Sequence, residues 1–179
     1  TGALIGEYQI KNTNTILCAI RELGITDVEA VKKGFLNVVQ LTGLMGRWQI
    51  LCNQPLIVCD TGHNVGGWKY LSKQIIHQEC HQKHIVFGMV DDKDIDSVME
   101  LLPKDAIYYW SQATTHRAIP SQVVAQKGLA HGLVGRVYDS VESAYMAALA
   151  IAVPNDFVFI GGSSYIVSDL LACLATPKE

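Results

Sequence analysis

The chain has 179 residues, with 17 acidic residues against 14 Lys and Arg and a formal charge of -3. That length buries a substantial core and builds one medium domain, or one domain with a fragment of another, which excludes a small stapled scaffold. A slightly acidic chain with no Lys/Arg cluster lacks the footprint of a nucleic-acid or membrane-surface binder, so small-molecule partners are expected.

Residues 8 to 24 place Ile16, Leu17, Ile20 and Leu23 at helical spacing, with Gly24 as a stop. Thr26-Asp27 then opens a second helix, Val28 to Val39. Thr42-Gly43-Leu44-Met45-Gly46 reads as a connector and a domain boundary. Beyond it strands and helices alternate. The predicted strands are Gln49 to Cys52, Leu56 to Asp60, Ile85 to Val90, Ala106 to Trp110, Gly135 to Tyr138 and Phe157 to Ile160. The predicted helices between them are Gly66 to Gln78, Ile95 to Leu102, Ser121 to Ala130, Val141 to Ile151 and Tyr165 to Leu174. β-Branched, near-continuous apolar strands in this order imply an α/β fold, a mainly parallel sheet with helices on both faces.

Five cysteines, Cys18, Cys52, Cys59, Cys80 and Cys173, are scattered and mostly in apolar surroundings. Buried free thiols in a reducing compartment fit that usage, and a cytoplasmic location is expected. No apolar run is long enough to span a membrane, and Thr1-Gly2-Ala3-Leu4 carries no charged leader. With no Met at the first position, a processed or excised piece of a longer protein is expected.

Right-handed crossovers gather the strand C-termini on one edge, which would carry Asp60 to Gly67, Gly88 to Asp94, Ser111 to Arg117 and Gly161 to Ser164. Four polar or glycine-rich loops meeting there are the expected form of a substrate cleft. In the richest of them, a buried strand delivers an acid, an imidazole and an amide (Asp60, His63, Asn64) to a glycine turn before a helix, with Arg47 shortly upstream. A carboxylate at a strand tip accepts hydrogen bonds from ribose hydroxyls, and a guanidinium meets phosphate oxygens. A helix cap and tight turn is the plainer reading of the same residues.

Five segments in register resemble the C-terminal part of the folylpolyglutamate synthase and dihydrofolate synthase family of the Mur ligase superfamily. They are Gly6-Glu7-Tyr8-Gln9-Ile10-Lys11-Asn12, Gly46-Arg47-Trp48-Gln49, Asp60-Thr61-Gly62-His63-Asn64, Val86 to Asp94, and Gly162-Ser163. The resemblance implies a Rossmann-like C-terminal domain over 43–179, preceded by the tail of a central ATPase domain over 1–42. It implies an ATP-dependent ligase that joins L-glutamate to dihydropteroate or a folate through an acyl phosphate. No Gly-x-x-x-x-Gly-Lys-Ser/Thr segment occurs in the chain, so the triphosphate-cradling loop is expected in an N-terminal ATPase domain of the same protein. Mg²⁺ is expected in the intact enzyme, not on this segment, and the segment alone is expected to be inactive.

Carried over on the same resemblance, Asn12 is the adenine contact, Arg47 the phosphate-binding arginine, Asp60 the ribose acid and His63 the catalytic residue near the terminal phosphate. Lys93, Arg117, Ser163 and Ser164 are implied substrate-binding residues for glutamate, and Asn64 faces substrate or caps the following helix, the cap being favoured. Caps also compete for Asn12 and Ser163, and a solvated loop for Asp91-Asp92-Lys93-Asp94. Gly62 and Val65 depart from the Ala and Pro usual in the family and leave the polar pattern intact.

His77, Cys80, His81 and His84 have metal-like spacing, but they fall at the end of a helix away from the strand C-termini, and metal binding is set aside. Two other readings stay open: the corresponding domain of a cell-wall precursor amino acid ligase, and a non-catalytic Rossmann-like binding module.

Overall fold

A computed structural model describes residues 2–91 and 93–176. Three helices come first: α1 (Gln9–Glu22), α2 (Val28–Leu36) and α3 (Val38–Thr42). The single helix predicted over Val28 to Val39 is two, because Asn37 takes φ -116°, ψ 17° and turns its amide back onto the Lys33 carbonyl at 2.8 Å. Gly43, at φ 67°, closes α3 in the left-handed conformation that glycine adopts without cost.

The alternating region follows with β1 (Gln49–Asn53), β2 (Leu56–Asp60), α4 (Val65–Ile76), β3 (Lys83–Phe87), α5 (Ile95–Met99), β4 (Ala106–Trp110), α6 (Ser121–Ala130), β5 (Gly135–Val137), α7 (Val141–Leu149), β6 (Phe157–Gly161) and α8 (Ser164–Ala175). Among the described residues the sheet runs β1-β2-β6-β3-β4-β5, all parallel except β1, which is the antiparallel arm of a hairpin with β2. The expected mainly parallel sheet is therefore observed.

The helices divide between two faces. Trp68, Leu71 and Ile75 of α4, Val98 of α5 and Val124 of α6 pack on one face against Val58, Ile85, Phe87, Trp110 and Phe159. Ala144 and Ala148 of α7 and Ile166, Val167 and Leu170 of α8 cover the other, over Ile57, Cys59, Val86 and Ile160. Each fully buried side chain of this size contributes about 1.5–3 kcal/mol from apolar burial. Strand β6 is laid down last, between β2 and β3, and its helix leaves to the face opposite α4 and α5. Its C-terminus is therefore a switch point of the strand order, the place where open α/β sheets bind ligands.

Strand β3 ends at Phe87, three residues before the predicted Val90. A Cβ at Gly88 would overlap the Ser111 carbonyl oxygen, so the backbone there is pressed against the neighbouring loop. Val90 instead makes an isolated antiparallel bridge with Ala118, which joins the β3 and β4 loops. Helix α5 is shorter than predicted because Leu101 and Leu102 close tight turns onto Val98 and Met99, before Pro103.

Candidate functional site

The strand tips line up: Asp60 pairs with Gly161, and Phe87 with Gly161 and Trp110. With about 4.8 Å between neighbouring strands, the loop after β2 and the loop after β4 lie about 14 Å apart, with the β6 turn between them.

Asp60 is the node of the first group. Its side chain is buried, 1% exposed, and takes three donors: the Tyr8 phenol at 2.7 Å and the Trp48 N–H at 2.6 Å on Oδ2, and the Gly62 N–H at 2.8 Å on Oδ1. Burial pushes the carboxyl above its ordinary range, while those three donors and the nearby Arg47 charge draw it back. The Tyr8 phenol is raised as well, by burial first and then by the facing carboxylate.

The hinge beside it is built from unusual backbone. Gly46 has φ 69° and Trp48 φ 45°, a left-handed conformation that costs a bulky residue about 1–2 kcal/mol. Trp48 is held there by the bond to Asp60 and by its ring packing on Phe157 and Phe159. The Gly46 carbonyl accepts from the Thr61 N–H and hydroxyl and from Arg47 Nη1 at 3.2 Å, which ties the half-buried arginine to the turn after β2.

His63 is exposed, and its Nδ1 lies 3.1 Å from the Thr61 carbonyl. A carbonyl only accepts, so Nδ1 carries the proton and Nε2 is the bare nitrogen of the neutral ring. It donates from Nε2 only when the ring takes a second proton. Asn64 caps α4, its Oδ1 accepting from the Gly67 N–H at 2.8 Å, as favoured from sequence. Asn12 is not a cap; it lies inside the exposed start of α1 and donates to Gln9 Oε1 at 3.0 Å. Helix α1 is seated on α4 by the Glu7 N–H to Gln74 Oε1 and by Lys11 over the Tyr70 ring.

The second group lies across β6. Arg117 spreads over the Tyr165 ring at the start of α8, 6.0 Å from its centroid. Its carbonyl accepts from the Asp91 N–H, which ties the two loops together; Lys93 is half-buried, and Asp92 lies outside the described residues. Asp94 caps α5 by accepting from the Ser97 N–H and hydroxyl. Ser163 is buried and caps α8 through the Ile166 N–H, while Ser164 is exposed. Thr114 is bound through its N–H and hydroxyl to Asp169 of α8, which fixes the β4 loop over this helix.

Sequence alone assigns no role to Tyr8 or to the Trp48 N–H. Tyr8 stands in a motif quoted above, but its partner is 52 residues away, and no local spacing reports such a bond. At the other end of the sheet His81 and His84 both meet Asp156, at 3.3 and 3.2 Å. Among the described residues no three His, Cys, Asp or Glu side chains are placed to hold a metal ion, and no helix is long and apolar enough to cross a membrane.

Residues 46–164 match the family model described as Mur ligase, glutamate ligase domain. The dihydrofolate synthase/folylpolyglutamate synthase of Escherichia coli strain K12 is 30% identical over 162 residues, which are 89% of this chain and 37% of that protein. The solved structure of E. coli FolC in complex with DHPP and ADP is similar with a TM-score of 0.76 at 27% identity, over 88% of this chain and 37% of that one. Mycobacterium tuberculosis folylpolyglutamate synthase complexed with ADP and AMPPCP reaches 0.84 at 20% identity, over 98% of this chain and 42% of that one, a likeness of fold. The chain belongs to the Mur ligase family, through the glutamate ligase domain of its folylpolyglutamate and dihydrofolate synthase branch. It spans about two fifths of the length of the Escherichia coli protein and of a Buchnera aphidicola relative.

Proposed function

We propose that the chain is the C-terminal part of an ATP-dependent ligase that adds L-glutamate to dihydropteroate, to folates or to both, through an acyl phosphate. The observation that carries this is the convergence on Asp60. One carboxylate ties together the segment with Asn12, the hinge with Arg47 and the turn with His63. Asn12 then serves the adenine, Asp60 the ribose, Arg47 the phosphates and His63 the transferring phosphate. Lys93, Arg117, Ser163 and Ser164 serve the glutamate carboxylates one to three strands away. These donors fit an anionic nucleotide and a dicarboxylate; ATP supplies the phosphoryl group that activates the acceptor acid.

The same reading divides the chain into 1–42, the tail of an ATPase domain, and 43–179. It is supported by the apolar groove of about 700 Å³ that Leu4, Ile5, Ile10, Ile16, Phe35 and Val38 line, outside the family match. Mg²⁺ and the triphosphate cradle belong to the remaining part. ATP-dependent incorporation of labelled glutamate by the intact protein tests the reading, with dihydropteroate, tetrahydrofolate and a nucleotide-linked muramyl acceptor compared. Transfer to either pterin is expected, and transfer to the muramyl acceptor alone refutes it.

A further inference from the structure

The Tyr8 phenol and a ribose hydroxyl are the same kind of donor, a neutral O–H, and Asp60 is the acceptor for both. Tyr8 holds Oδ2 at 2.7 Å and its ring helps bury the carboxylate to 1% exposure. The other donors to Asp60 are backbone N–H groups of Trp48 and Gly62, fixed by the hinge and the turn, so Tyr8 is the partner that a side-chain rotation can remove. The rest of the α1 start does not depend on that bond: Glu7 and Lys11 hold it to Gln74 and Tyr70. Gly6 leaves the space in which the ring lies, since a Cβ there would stand 3.0 Å from Tyr8 Cε1.

We propose that Tyr8 is a positioning residue that acts through Asp60: its phenol competes with a ribose hydroxyl for the carboxylate and yields it when nucleotide binds. The inference rests on the ribose role of Asp60 given above. The exchange keeps an O–H donor on the buried carboxylate beside its two backbone N–H donors, so no hydrogen bond to it is lost on binding. One O–H bond to Asp60 breaks as another forms, so Tyr8 lowers nucleotide affinity.

The test uses the intact protein and measures binding of ADP and of 2′,3′-dideoxy-ADP to wild type and to Tyr8→Phe. Wild type is expected to prefer ADP, and Tyr8→Phe to bind ADP roughly threefold to tenfold more tightly with no gain for the dideoxy nucleotide, the worth of one competing hydrogen bond. Wild-type preference for ADP with Tyr8→Phe no tighter overturns the exchange and leaves the ribose contact standing. Equal wild-type affinity for the two nucleotides removes the ribose contact, and the exchange with it. A ¹³C-labelled Tyr8 ring resonance in the wild type gives a second measure: a shift with ADP that is absent with dideoxy-ADP supports the exchange, and the same response to both refutes it.

Discussion

His63 and Asp60 are three residues apart and do opposite things. His63 is exposed, with one hydrogen bond to a carbonyl, so little of the fold depends on it. His63→Ala in the intact protein is expected to lower kcat for glutamate ligation by about 100-fold, the usual loss of one donor to developing charge, with thermal midpoint unchanged. A midpoint drop of several degrees with kcat preserved is the contrary result. Asp60 is buried and holds three segments, so its charge is costly to the fold while its three hydrogen bonds join those segments. Both residues were legible from sequence as members of one motif. Their difference in burial was not, because it comes from Tyr8 and Trp48, 52 and 12 residues away.

At the level of elements, the end of the sheet opposite the site is pinned by Asp156 just before β6. It accepts from the Val153 and Gln82 N–H groups and meets His81 and His84, and His84 also meets the Tyr109 hydroxyl at 2.9 Å. Burial acts to raise its pKa, but the Val153, His84 and His81 bonds outweigh it and hold the carboxyl below its ordinary 3.8. A lowered folded pKa favours the ionised form in the fold, so the stability it contributes is present above 3.8 and lost as pH falls through the folded value. Urea unfolding of wild type and Asp156→Asn is expected to differ by about 1–3 kcal/mol at pH 6, a gap that narrows below pH 4. A gap that stays constant across that range counts against the linkage. Asp60, raised by burial, has the opposite sign: its share of stability is present below 3.8 and falls as pH rises through its folded pKa. The strands and helices themselves were readable from their apolar periods. The ends that differ, at Asn37 and Gly88, are set by a side-chain turn and by a neighbouring loop, which a period does not encode.

At the scale of the whole molecule, the proposed glutamate half of the candidate site is assembled by contacts among β3, β4 and α8, and the proposed nucleotide half by α1, the hinge and β2. The apolar side chains of α1, including Ile10 at 70% exposure and Ile16 at 46%, are left open on the side of the residues before the family match. The 179-residue chain by itself is therefore expected to show no ATP-dependent glutamate incorporation above background, since the proposed phosphate cradle is not in it. Turnover within tenfold of the intact protein overturns that division of labour.

Sequence alone determined the order of strands and helices, the parallel sheet, the loops that carry chemistry and, through five segments in register, the family. These are properties of residue type and spacing, which the chain carries wherever it folds. Only the tertiary structure decided that β6 enters between β2 and β3 and that Tyr8 lies on Asp60. The strand order turns on which helix covers which face, and the phenol–carboxylate bond on two groups meeting across the packed hinge; both are contacts between distant residues, which no local pattern records.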